Sequence, residues 1–346
     1  MSKKNYIIPI FIPHQGCPHD CSFCNQKKIA GEIEDVTEKE VYQLIDDYLN
    51  LFPKDAANKE VAFYGGSFTG IPIRKQLELL KPAFKMKKKG CIHAIRVSTR
   101  PDYIDKDRLD LLKSYGVSAI ELGVQSTDDE ILALNRRGHK REDVFYAAEL
   151  IKGYGFRLGL QMMVGLIGDH SASIHQTAKD IISLKPNFVR IYPTMVIKDT
   201  HLEALYYQGE YTPFSFEETV AICKELLLQF QANHIPVIRL GLQNTEDISH
   251  GKTIVAGPYH PAFREIVEGE IYKDLIEEKL KSVYEDREAM LLVYCHPSIA
   301  SKVAGFKQGN KKYFAAKYKI SKMIIKHCLE MPKGEIRISL IFDRNL

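Results

Sequence analysis

Short apolar runs alternate along most of the chain with longer stretches in which apolar residues recur at helical spacing. The runs Tyr6–Pro13, Val61–Tyr64, Ile95–Thr99, Ala119–Gly123, Arg157–Val164, Phe188–Tyr192 and Pro236–Leu240 predict strands. Each carries β-branched or aromatic residues and stops at Gly, Pro or a polar residue. The stretches Thr37–Leu51, Asp105–Ser114, Asp128–Leu134, Arg141–Tyr154, Ser171–Leu184 and Ser215–Asn233 predict helices. Thr37 followed by Glu40 has the form of a capping box, and Gly116 stands where a helix from Asp105 would stop. Strand and helix in this alternation mean parallel strands joined by crossover helices. Six or seven repeats over about 240 residues predict a barrel or partial barrel, with a doubly wound sheet as the alternative.

The pattern changes after Gln243. Asn244–Glu270 is rich in Gly, Pro and His and reads as a long ordered loop. A helix (Tyr272–Val283), a strand (Met290–Cys295), a basic helical stretch (Asn310–Tyr318) and a last strand (Glu335–Phe342) then predict a small α/β domain. The predicted division is 1–245 and 246–346. Within the loop, Gly257–Arg264 is dense in Tyr, His and Arg and reads either as a substrate lid or as an ordered connector.

Composition narrows the class. The 346-residue chain is 45% hydrophobic and 27% charged, as in an ordinary globular protein. Its net charge of +4 permits a nucleic-acid partner without arguing for one. The basic runs Lys85–Lys89, Arg136–Arg141 and Lys311–Lys319 read singly as solvated faces and together as a phosphate-tracking surface. The chain has seven Cys, with Cys17, Cys21 and Cys24 grouped and the rest scattered, unlike a secreted disulfide framework. The amino-terminal apolar run contains two prolines and lacks a small-residue cleavage site. No apolar run reaches the roughly 18–20 residues of a membrane span. These features predict a cytoplasmic protein with one metal-binding cluster.

That cluster is Gly16-Cys17-Pro18-His19-Asp20-Cys21-Ser22-Phe23-Cys24, a C-x3-C-x2-C pattern directly after the first strand. Three thiolates on one short loop converge on a soft metal centre. Three cysteines on an iron–sulfur cube leave one iron open to a small molecule. Zinc would want a fourth ligand, which His14 or His19 could supply. In a barrel, chemistry sits at the carboxyl ends of the strands. Those ends here read Tyr64-Gly65-Gly66-Ser67, Val97-Ser98-Thr99-Arg100, Glu121-Leu122-Gly123-Val124-Gln125, Gln161-Met162-Met163 and Arg190-Ile191-Tyr192. Glycines at 65 and 66 let backbone approach a ligand closely. Glu121 is a carboxylate within an apolar strand and calls for a partner. Arg136 and Arg137 beside Gly138 suit a carboxylate, a phosphate or a solvated helix end.

The cysteine motif and these strand ends resemble the radical SAM superfamily. The resemblance implies an α/β fold, a radical SAM partial (β/α)6 TIM-like barrel with a small α/β C-terminal domain. It implies a [4Fe-4S] cluster on Cys17, Cys21 and Cys24 and S-adenosyl-L-methionine (SAM) as cofactors. It implies SAM contacts from Phe23, Gly65, Gly66, Ser67, Ser98, Glu121, Gln125, Arg137, Met163 and Tyr192. Ser67 stands where many members have Glu. The phrases FYGGSF, STRPD, ELGVQS, NRRGH, QMMVGL and RIYPTMVIKDTHL are similar to the radical SAM domain of the Elp3 (Elongator catalytic subunit) family. No acetyltransferase-sized region follows them. The resemblance implies a flavodoxin or ferredoxin as electron donor and an RNA base or a small metabolite as substrate. A zinc-stabilised binding module and an electron-transfer protein are the other classes considered.

Overall fold

The computed structural model describes residues 5–12, 17, 20–25, 36–53, 55–242 and 253–342. Strands β1 (Asn5–Phe11), β2 (Asn58–Tyr64), β3 (Ala94–Thr99), β4 (Ala119–Gln125), β5 (Arg157–Val164), β6 (Phe188–Pro193) and β8 (Val237–Leu240) pair in parallel, in that order. They form the curled half-barrel that the strand–helix alternation predicts. Crossovers are made by α1 (Glu38–Leu51), α2 (Ile73–Lys88), α3 (Lys106–Ser114), α4 (Asp129–Leu134), α5 (Arg141–Gly153), α6 (Ser171–Ser183), α7 (His201–Gln208) and α8 (Phe216–Ala232). The predicted capping box holds α1: the Glu40 amide donates to Thr37 and the Thr37 amide to the Glu40 carboxylate. A short strand, β7 (Val196–Ile197), pairs antiparallel with β9 (Ile254–Ala256), inside the segment read as loop.

The half-barrel interior carries charge. Arg96 on β3 bridges Glu60 on β2 and Glu121 on β4. Arg190 on β6 lies 3.0 Å from the other Glu121 oxygen, which also accepts from Gln161 at 2.9 Å. Arg190 further donates to the Tyr64 hydroxyl at 3.0 Å. Two carboxylates thus balance two guanidiniums away from water, the condition under which buried charges are tolerated. Gly159 makes the room: a Cβ there would fall 2.2 Å from the Phe188 ring and 2.9 Å from the Glu121 side chain.

Two compact units emerge, Met1–Ser215 with Leu226–Tyr259, and Phe216–Glu225 with His260–Leu346. The pairing of β9 with β7 puts residues up to Tyr259 in the first unit, beyond the 245/246 division read from the pattern. In the second unit β10 (Ala289–Cys295) pairs parallel with β11 (Ile320–His327) and antiparallel with β12 (Ile336–Phe342). Helices α9 (Phe263–Lys281), α10 (Ala300–Ala304) and α11 (Gly309–Lys317) belong to this unit. Leu291, Val293, Met323, Ile276, Leu280, Val303 and Phe314 form its core. His260 is fixed locally, its ring edge-on to Phe306 and its Nδ1 accepting from the Ala262 amide at 2.9 Å. Among the described residues, no helix is long and apolar enough to cross a membrane.

Candidate active site

Cys17, Cys21 and Cys24 border one cavity of about 1000 Å³ in the first unit. The described residues include all seven cysteines, and none of these forms a disulfide. Burial pushes the Cys17 thiol up, and the neighbouring Cys21 adds to this; Arg100 and Arg137 pull it back. Arg137 Nη1 donates to Cys21 Sγ at 3.2 Å, a charge-assisted contact. Among the described residues, no three His, Cys, Asp or Glu are arranged around a single ion. His14 and His19, the candidates for a fourth zinc ligand, lie outside the described residues.

The cysteine segment is tied down by distant parts of the sequence. The Ser22 hydroxyl donates to Asn135 Oδ1 at 2.8 Å, and the Ser22 amide to the Asn135 carbonyl at 3.2 Å. Asn135 also donates to the Ile131 and Ile167 carbonyls at 2.8 and 3.0 Å. On the other flank the Leu202 amide donates to the Ser22 carbonyl at 2.8 Å, and Asn25 Nδ2 to the Lys198 carbonyl at 2.9 Å. The NRRGH and VIKDTHL phrases therefore brace the cysteines.

Glycines shape the next wall. Gly65 has φ +82° and Gly66 φ +43°. A Cβ on Gly65 would lie 2.6 Å from the Ile12 carbonyl oxygen, so only glycine lets β1 and β2 end this close together. Both glycines line the cavity. Ser98, Gln125, Arg137, Met163, Tyr192 and Phe23 line it too. Gln125 follows a register shift in the β4–β5 pairing and has φ +69°. A bulge of this kind re-aims a strand's last side chain. Phe23, Met163 and Tyr192 pack with Ile131 and Leu166 in one apolar cluster, and all three line the cavity that the thiols border.

Two predicted residues stand behind the wall. Glu121 is 0% exposed, does not line the cavity and is engaged by Arg96, Arg190 and Gln161. Ser67 is also fully buried; its hydroxyl lies 2.7 Å from that of Thr99 and accepts from the Arg100 amide at 3.2 Å. Residues not singled out from the sequence are Arg100, Asn135 and His139. Arg100 lines the cavity and is gripped bidentately by Asp102 at 2.9 Å through both nitrogens. The Arg-Pro-Asp spacing in STRPD carried that signal. His139 is 3% exposed, faces the Val124 carbonyl at 3.2 Å, and is held down to about 3 by burial, then by Arg137 and Arg100.

The residues fit a cluster and a polar ligand beside it. Ser98 Oγ, Gln125 Oε1, Arg100 Nη1 and Arg137 Nε are buried and make no hydrogen bond among the described residues, yet all four side chains border the cavity. Each such atom costs about 1–3 kcal/mol when nothing satisfies it. A polar ligand in the cavity would supply the missing partners.

Comparison with known proteins follows the same line. The radical SAM superfamily model matches residues 11–181, and the Radical_SAM C-terminal domain model matches 186–273. A tRNA uridine(34) acetyltransferase of Methanocaldococcus infernus is 33% identical over 151 residues, 43% of this chain and 28% of that protein. Human Elongator complex protein 3 is 33% identical over 144 residues, 40% of this chain and 25% of that one. The chain thus spans about a quarter of the length of these relatives. Among solved structures, the archaeal Methanocaldococcus infernus Elp3 with an N-terminal deletion superposes with TM-score 0.62 at 22% identity. That match covers 78% of this chain and 63% of that one. Native anSMEcpe with bound AdoMet gives TM-score 0.50 at 17% identity, covering 67% and 63%. These two likenesses are of fold. The chain belongs to the radical SAM superfamily, whose members use a [4Fe-4S] cluster and SAM.

Proposed function

We propose that this radical SAM protein is a cytoplasmic enzyme that abstracts hydrogen from a base of an RNA strand. One observation carries the reading: three cysteines, a glycine turn and several unpartnered buried polar atoms border a single cavity. A reduced cluster held here would supply the electron for radical cleavage of the SAM sulfonium. The protein holds, orients and excludes water.

Cys17, Cys21 and Cys24 are the proposed cluster ligands. The backbone of Gly65 and Gly66 suits the SAM amino group, because no Cβ intervenes. Ser98, Gln125 and Arg137 offer the polar atoms for its ribose and carboxylate. Phe23, Met163 and Tyr192 offer the apolar surface for adenine. Glu121 and Ser67 act through the groups they hold, Glu121 on Arg96 and Arg190, Ser67 on the Thr99–Arg100 strand end. Identity to a tRNA uridine(34) acetyltransferase supports RNA as substrate. So does a cavity bordered by Arg157 and Arg190 as well as Arg100 and Arg137, which suits a phosphate-bearing ligand. A flavodoxin or ferredoxin is the proposed electron donor.

The test is anaerobic reconstitution with iron and sulfide, addition of dithionite and SAM, and measurement of 5′-deoxyadenosine. Cluster-loaded protein that makes none would end the radical reading. Colourless protein with stoichiometric zinc would replace it by a binding module. Identical modified nucleosides in tRNA and rRNA from wild-type and deletion strains would remove RNA as substrate.

A further inference from the structure

The second unit has a sheet with one face on its core; on the other face the central Leu292 is buried and the residues around it reach the surface to differing extents. Leu291, Val293 and Cys295 of β10 point to the core with Met323 and Ile325 of β11 and Ile336, Ile338 and Leu340 of β12. Because side chains alternate, the residues between them face the other way. Register sets them in three rows: Lys322, Met290 and Ile341; Ile324, Leu292 and Ser339; Lys326, Tyr294 and Arg337. A solvated sheet face normally alternates to polar residues of both signs. This one has five apolar or aromatic positions, three cations, one serine and no acid. The absence of acids is local, because the whole chain balances 48 Lys and Arg against 44 Asp and Glu. Lys322, Lys326, Arg337 and Ile341 are exposed at the rim of this face. The Arg337 guanidinium lies 4.9 Å from the Tyr294 ring centre. Lys322 and Lys326 stand four residues apart on β11, about 13 Å along the strand.

We propose that this outer face of β10, β11 and β12 binds single-stranded RNA, with Lys322, Lys326 and Arg337 on phosphates and the Tyr294–Arg337 pair as a stacking platform. Single strands are held by this combination of a cationic track and aromatic or guanidinium planes on which bases stack. An aromatic on the central strand, flanked by cations on both edge strands, presents a base and its backbone with their partners at once. The inference rests on the RNA-substrate reading only for its choice of RNA; the binding needs neither cluster nor SAM.

Fluorescence anisotropy of the full chain with a labelled 12-nucleotide RNA tests it. The triple variant K322E/K326E/R337E should bind at least tenfold more weakly. Its salt dependence (log Kd against log salt) should flatten by about 2, since each lost phosphate contact on a single strand is worth about 0.7. Tyr294→Ala should weaken binding roughly 5- to 150-fold. Arg337→Gln, at an exposed position, serves if that variant does not fold, with at least threefold weakening expected. The charge-matched control K39E/K106E/K179E, at exposed positions on α1, α3 and α6 outside the basic runs, should stay within twofold of wild type. A sheet variant within twofold of wild type overturns the proposal. So does equal loss in the control, or binding to anionic vesicles without binding to RNA. If sheet variants lose RNA while the deletion strain keeps all its modified nucleosides, the surface stands and the substrate reading falls. The opposite pattern separates them the other way.

Discussion

Replacing Glu121 by Gln tests whether the half-barrel is held by its buried charges. Glu121 is 0% exposed, and its two partners Arg96 and Arg190 are nearly as buried. Glu60 and Glu121 balance those two guanidiniums, so the substitution leaves one positive charge uncompensated away from water. Removing one partner of such a pair costs about 3–5 kcal/mol, a large part of a typical stability of about 5–15 kcal/mol. At about 2–4 °C per kcal/mol for a unit of this size, Tm should fall by about 6–20 °C. The assay is thermal and urea denaturation of the cluster-free protein followed by circular dichroism. Adding Arg190→Met restores the balance and should recover about 2 kcal/mol of the loss. A loss below about 1 kcal/mol, or a double variant no better than the single, would refute the charge-balance argument.

Gly65→Ala places a Cβ against the Ile12 carbonyl at φ +82°; it should cost about 1–3 kcal/mol and weaken SAM at least tenfold by calorimetry, and unchanged affinity would contradict the cradle. His139 stays neutral in the fold, held down to about 3 by burial and by Arg137 and Arg100. An unfolded chain binds the proton near 6.5, so its contribution is complete above pH 6.5 and is lost as pH falls toward 3. Between pH 6.5 and 4.5 wild type should lose about 2–3 kcal/mol more than His139→Gln; parallel urea-midpoint curves would dismiss this. Asn135→Ala removes the brace on Ser22 and on the Ile131 and Ile167 carbonyls. It should cost about 2–4 kcal/mol and halve the iron retained after desalting, and full iron content would refute the bracing role.

The strands that were legible are those buried on both faces, because burial there selects apolar runs broken only by a polar residue with a buried partner, as at Arg96 in Ile95-Arg96-Val97 and at Gln161 in Leu160 to Val164. β2 begins three residues before its apolar run, since Asn58-Lys59-Glu60 are polar yet pair with β1. Helix α2 was missed: Pro82 and a lysine-rich end mask buried positions at Gln76, Leu79, Leu80, Ala83 and Met86. β11 was missed because Lys322 and Lys326 interrupt it on the outer face. In the site, the cysteines, glycines and polar strand ends were legible because their residue types are costly anywhere else. The inward turn of Glu121 was not, since a carboxylate on a strand reads alike whether it meets a ligand or an arginine. Asn135 and Asn25 were silent because their partners are 113 and 173 residues away.

Those distances also set an order of events. The cysteines leave the ribosome more than 100 residues before the groups that shape their loop. Asn135, then Lys198, then the Leu202 amide must be synthesised before the segment has its framework. If the three thiols hold the cluster, loading belongs after the segment around Leu202 has been made. Stalled chains ending before Lys198 should retain no iron on reconstitution, whereas chains extended past β9 should retain it. Iron on the shorter chains would show that the cysteine segment organises itself.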